Sequence, residues 1–246
     1  MTIVSFLLIL GHPKPNVMNC AQCASFVPCR FECLSPVDIS SITKHKRREL
    51  FAKGTIIFDE GEMLKGIYCI DSGVIKLSKL SANGKDQIIK LVVAGDFLGC
   101  RSVFTKERST LKAVALSEVS SCYIPKEIFL SAVAHSTNFS QALLRRFSEE
   151  LIEADNSIVS LGQKSVSQRI ASVLLYLKKQ IGLNSEGYIA VQLSRSDYAN
   201  IIGAATESVI RVLADFHRAG LISMQGKNIK IKNVAGLKAK ASSVIQ

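Results

Sequence analysis

The chain has 246 residues and a mass of 26.8 kDa, with 48% hydrophobic and 21% charged residues, a globular composition that excludes disorder and fibre. Its N-terminal apolar run, Ile3 to Leu10 broken by Ser5, falls far short of the roughly 20 residues that span a bilayer. It also lacks a basic flank and a small-residue cleavage site, so the expectation is a cytoplasmic protein with no membrane partner.

Charge is unevenly placed. Lys and Arg number 31 against 20 Asp and Glu, a formal net charge of +11, and residues 161–246 hold twelve of the basic residues but only four acidic ones. Clustered cations release counterions when they neutralise phosphates, so a basic C-terminal third points to a polyanionic partner.

Between Leu50 and Pro125 short strands alternate with turns. Thr55 to Phe58 is followed by Asp59-Glu60-Gly61-Glu62, Ile67 to Ile70 by Asp71-Ser72-Gly73, and Val74 to Leu80 by the hairpin dipeptide Asn83-Gly84. Gln87 to Val93, the turn Ala94-Gly95-Asp96 and Lys112 to Ile124 complete the pattern. Strands at this spacing predict an antiparallel roll.

From about Ser136 the period becomes helical. Leu144, Phe147, Leu151, Ala154, Ile158 and Leu161 alternate steps of three and four, a narrow seam that buries itself best against a copy of the same helix. A homodimer is expected, with packing on the chain's own roll as the rival. Glu153 and Asp155 flank the seam and would repel across it, and Gly162 is read as a hinge.

An amphipathic helix follows through Ile170, Val173, Leu174 and Leu177. Ser194-Arg195-Ser196-Asp197 then reads as a capping box opening a short helix that stops at Gly203. Thr206 is read as the cap of a second, longer helix ending at Gly220, and Leu221 to Met224 with Ile229 to Lys232 as a two-stranded wing. Together these predict a winged helix-turn-helix. In that motif the start of the second helix enters the major groove. Glu207 and Arg211, one turn apart, would read cytosine and guanine edges, with Glu207 steadying Arg211. Thr206 and Ser208 would contact base or phosphate, and Arg195 and Lys227 phosphates.

The fold class is therefore α+β: residues 1–34 an N-terminal segment, 35–134 a β-roll sensor domain, 135–162 a dimerisation helix and 163–246 a winged helix-turn-helix domain. With Gly73, Gly95-Asp96, Gly99 and Thr206-Glu207-Ser208-Val209-Ile210-Arg211, this arrangement resembles the catabolite activator/FNR superfamily of bacterial transcription regulators from Cys20 onward. The resemblance implies double-stranded DNA and RNA polymerase as partners, and a half-site with a TGA core carried by Glu207 and Arg211. FNR relatives usually place serine where this chain has Ile210, which leaves the flanking base preference open. No nucleophile–base constellation or phosphate loop accompanies His12, His45, His135 or His217, so an enzyme is not expected.

Seven cysteines remain. Cys20, Cys23, Cys29 and Cys33 fall within fourteen residues, and in a reducing compartment such a group suggests metal or cluster ligation more than disulfides. Cys20, Cys23 and Cys29 with the distal Cys122 look like the FNR branch, whose four cysteines ligate an oxygen-labile [4Fe-4S] cluster. Thiolate sets of four suit that chemistry. Two alternatives stand beside it: a local zinc site that takes Cys33 in place of Cys122, and ordinary burial of Cys33, Cys69, Cys100 and Cys122. A cyclic-nucleotide-like ligand is a further reading, since Arg108-Ser109 is similar to that branch's phosphate-binding pair. Cys100, however, stands where the ribose-binding glutamate would be, and losing a charged partner costs about 1.5–3 kcal/mol. A small redox or electron-transfer protein is the alternative from another class, and neither the helix-turn-helix nor the basic C-terminal third would serve it.

Overall fold

The computed structural model describes Cys20, Cys23, residues 31–81 and residues 84–242. Eight strands form the N-terminal roll: β1 (Arg47–Phe51), β2 (Ile56–Phe58), β3 (Gly66–Ser72), β4 (Ile75–Leu80), β5 (Asp86–Val92), β6 (Phe97–Leu98), β7 (Lys112–Ala115) and β8 (Val119–Pro125). They build two antiparallel four-stranded sheets, ordered β1-β8-β3-β6 and β2-β7-β4-β5. Alternating inward residues from both sheets, among them Ile70, Ile75, Val92, Leu98 and Ala113, fill the space between them.

The stretch read as one run from Lys112 to Ile124 is two strands in different sheets. The chain changes sheet at Leu116 to Glu118, where Val74 closes the corner through its carbonyl, which accepts from Leu116 N–H, and its own N–H, which donates to Ser117 Oγ. The expected hairpin dipeptide falls partly outside the described residues at Asn83; its flanks, β4 and β5, pair in antiparallel register.

Three short helices that periodicity did not reveal frame the roll: α1 (Pro36–His45), α2 (Cys100–Thr105) and α3 (Lys126–His135). Their apolar residues join Phe31, Ile67, Ile124, Phe139 and Leu143 in a cluster outside the first sheet.

The long helix α4 (Thr137–Gln163) matches the predicted dimerisation helix, with Ser136 capping its start. Gly162 does not interrupt it. The break lies at extended Lys164, after which Ser165 and Gln168 form a reciprocal capping box that starts α5 (Val166–Gln180). A glycine one residue from a helix end costs little, whereas a capping box fixes where the next helix begins.

The C-terminal module is α5, α6 (Arg195–Ile202), α7 (Thr206–Arg218), the hairpin β9 (Ile222–Gln225) with β10 (Asn228–Ile231), and α8 (Val234–Ser242). Val209, Leu213 and Phe216 of α7 pack on Leu174, Leu177, Tyr198 and Ile202, and Val74, Ile88 and Leu91 of the roll share that core.

Candidate functional site

The α6–turn–α7 unit is set by local chemistry. Ser194 Oγ accepts from Asp197 N–H at 3.0 Å, and Asp197 Oδ2 accepts from Ser194 N–H at 3.0 Å, satisfying two otherwise orphaned donors at the start of α6. Gly203 closes α6 in the left-handed conformation at φ +60°. Helix α7 then starts from Ala205, which lends no side-chain cap. Thr206 is thus the first helical residue and not the cap expected from sequence.

Glu207 and Arg211 are both exposed at the start of α7, Ser208 and Thr206 are half-buried beside them, and Lys227 is exposed at the wing turn. The α7 N-terminus also presents the positive end of the helix dipole, suited to a phosphate. No ion pair joins Glu207 to Arg211 among the described residues; the α7 pair is Asp215 with Arg218. Free of each other, both side chains can turn to base edges.

Arg195 is engaged within the module. Its Nη2 donates to Gly226 O at 3.2 Å and lies 3.4 Å from Met224 Sδ, clipping the start of α6 to the wing, while Nη1 is buried without a partner. Arg195 therefore also makes a positioning contact, which sequence could not show because it needs the wing folded back on α6. Sequence reasoning also missed Arg169, whose Nη1 donates to Ile202 O at 2.6 Å, and Lys76 of β4, which pairs with Asp197 at 2.9 Å. Burial disfavours the charge on Asp197, but the Ser194 and Lys76 hydrogen bonds outweigh it and hold the carboxyl below its usual range.

The seam residues divide. Leu144, Leu151 and Ile158 are 65%, 67% and 68% exposed, Leu161 and Ala154 are exposed too, and Ile152 and Val159 widen the strip. Phe147 instead turns toward the roll and stands edge-on to Phe104 at 5.7 Å. Most of the seam is therefore an open apolar strip and not a face packed on the chain's own roll.

The cysteines gather on the outer face of the β1-β8-β3-β6 sheet. Arg48, Cys122 and Cys69 lie side by side across three strands in register, so their side chains share one face. Cys20 is buried with Cys69 in a single cluster against which Cys122 and Cys33 pack. Cys23 Sγ lies 3.7 Å from Asp71 Oδ1, and Asp71 also faces Arg48 at 3.9 Å. Burial pushes the Cys122 thiol up, nearby Lys46 pulls it down, and Cys23 and Cys20 stand close enough to raise it further. Cys29 lies outside the described residues. Cys69 is disulfide-bonded, which corrects the expectation that the thiols stay unlinked, although Cys20 and Cys122, which share its cluster, are not its partners. Among the described residues, no three His, Cys, Asp or Glu side chains are arranged to hold a metal ion.

Cys33 lines a shallow depression with Asp38 and His135 and lies in the 3-10 turn Phe31–Cys33, not among the thiols that act on Cys122. Arg108 Nη1 donates to Gly61 O at 2.9 Å, buried Ser109 donates to Leu111 O at 2.7 Å, and Cys100 is buried with its thiol pushed up by desolvation. Both members of the pair similar to a nucleotide-phosphate clamp thus have partners inside the protein. No described helix is long and apolar enough to cross a membrane.

Two family models match the chain, a cyclic nucleotide-binding domain over residues 48–136 and a Crp-like helix-turn-helix domain over residues 168–240. The chain is a CRP/FNR-type DNA-binding transcription regulator. Among relatives of this regulator, the CRP-like cAMP-activated global transcriptional regulator of Mycobacterium tuberculosis is 28% identical over 86% of this chain and 95% of its own length. The anaerobic regulatory protein of Haemophilus influenzae is 27% identical over 89% and 86%. The fold is shared with FixK2 from Bradyrhizobium japonicum at a TM-score of 0.73, with 24% identity over 81% of this chain and 99% of that one. The regulator thus has relatives named for cAMP and for anaerobic control.

Proposed function

We propose that this regulator responds to oxygen or redox state through a [4Fe-4S] cluster held by Cys20, Cys23, Cys29 and Cys122, pairs through the open strip of α4, and binds a palindrome with a TGA core. The observation that carries the sensor is that Cys122 packs against the cluster that buries Cys20, with Cys23 also close enough to act on its thiol, although the three are not arranged to hold a metal ion as they stand. Soft, part-buried thiols with Lys46 and Arg48 nearby fit the donor chemistry of such a cluster, which when bound supplies an oxygen-labile inorganic core. The chain's residues do the coupling. Cys20 and Cys23 belong to the leader and Cys122 to the rigid sheet, so ligation ties the leader to the roll, and α4 packs on the same apolar cluster through Phe139 and Leu143. Pairing of α4 would set two recognition helices about one DNA turn apart. RNA polymerase is the remaining proposed partner, as the enzyme a promoter-bound regulator admits or blocks.

Purification without air, followed by iron, acid-labile sulfide and zinc assays, tests the reading. Iron and sulfide in equal amounts, about four of each per chain, are expected. Zinc without sulfide would replace the cluster with a structural metal. Iron-free protein that still binds its palindrome as a pair overturns the sensor.

A further inference from the structure

Helix α7 has two faces, and one residue fits neither. Val209, Leu213 and Phe216 face the core and are buried, while Glu207 and Arg211 face outward as polar residues should. Ile210 stands among the outward set, 50% exposed and outside the core cluster and the residues packed against it. It is no part of the module's core, and a β-branched side chain does not favour a helix.

What it offers is a stiff apolar knob. Isoleucine in a helix holds essentially one χ1 rotamer, so little freedom is lost when it is covered. The major groove displays one projecting apolar group, the C5-methyl of thymine; cytosine offers only a flat C5–H there, and the functional groups of the other base edges are hydrogen-bond donors or acceptors. Buried against those polar features, Ile210 would leave them unpaired. Covered by a methyl, it removes apolar surface from water at no polar cost.

We infer that Ile210 reads a thymine methyl in each half-site, making it a specificity-determining residue beside Arg211. The inference rests on the DNA-binding reading and adds the base that this chain's own departure selects. The register follows from geometry: consecutive Cα atoms are about 3.8 Å apart, close to one step of roughly 3.4 Å between base pairs. The thymine therefore lies within one base step of the guanine met by Arg211, on either strand.

The test uses duplexes recovered from a random pool, without air, by the full-length protein purified without air, with each thymine replaced in turn, symmetrically in both half-sites, by deoxyuridine. Pairing is unchanged and only the methyl is lost. At one position next to the guanine, anisotropy should show binding weakened about fourfold per half-site, the worth of one buried methyl, or roughly fifteenfold for two. Ile210→Ser, which alters an exposed position and should melt like the wild type, should bind both duplexes equally there. Wild-type binding within twofold for every replacement overturns the inference, as does an Ile210→Ser variant that keeps the penalty. A pool yielding no bound duplex overturns the DNA reading itself, and loss of binding in Arg211→Ala on the unmodified duplex confirms that reading separately.

Discussion

At the scale of single residues, Gly73 separates two costs that are usually confounded. It sits at φ +95°, and a Cβ there would lie 2.3 Å from Glu118 O and 2.8 Å from Val119 Cα. Both are backbone atoms at the corner where the chain passes into β8, so no side-chain rotation relieves the clash. Gly54 has a similar φ of +88° with nothing within 4 Å. Gly54→Ala should cost only the left-handed strain, about 1 kcal/mol. Gly73→Ala should add a steric term and cost about 3 kcal/mol or more, a further fall in melting temperature of roughly 4–8 °C. Equal melting temperatures for the two variants would show that the corner yields. The same scale governs the thiol face, where register alone places Cys122 beside Cys69.

Among the elements, α4 makes the sharpest demand on its surroundings. A strip containing Leu151 and Ile158, both more than 60% exposed, is stable in water only if something covers it much of the time. Leu151→Glu and Ile158→Glu place charge in that strip without touching the chain's own core. Sedimentation of anaerobic protein should therefore shift from dimer to monomer while circular dichroism stays unchanged. A dimer surviving both substitutions would move the interface elsewhere. The elements differed in how plainly the sequence announces them. Long periodic segments with local punctuation, α4, α5, and the α6–α7 pair with its capping box and Gly203, were legible because their signals lie within a turn or two of the residue concerned. The helices α1 and α3, ten residues each, and six-residue α2 were not, since their burial is decided by one another: Ile42 of α1, Val103 of α2 and Phe129 of α3, far apart in the chain, meet in one cluster. The site divides in the same way. Exposure of Glu207 and Arg211 follows from helical period, whereas the folding of Arg195 onto Gly226 O and the pairing of Lys76 with Asp197 join segments 31 and 121 residues apart.

Across the whole molecule, an ion-pair network fastens α4 to the roll. Lys90 of β5 reaches Glu150 of α4 at 2.6 Å, Arg146 of α4 reaches Asp96 at 2.8 Å, and Arg101 of α2 approaches Glu150 at 3.5 Å. Asp96, Arg146 and Glu150 border a cavity of about 210 Å³ shared with Tyr176 of α5, so roll, α4 and the C-terminal module meet there. Burial disfavours the charge on Glu150, yet Lys90 and Arg146 outweigh it and hold its carboxyl below the usual range. A folded-state pKa below the unfolded value contributes stability that is present above the unfolded pKa, near 4.3, and lost as pH falls through the lower folded value. Glu150→Gln resembles the protonated state at every pH. It should be less stable than wild type at pH 7 by roughly 2 kcal/mol, and the gap in urea midpoints should close as pH falls below the unfolded value and through the lower folded one. Lys90→Met should be destabilised at pH 7 as well, because it leaves a mostly buried carboxylate short of its nearest cation, and acid should relieve part of that loss by protonating Glu150. A gap that stays constant from pH 7 to pH 3 in both variants would mean that the network holds α4 by packing, with its charges contributing nothing.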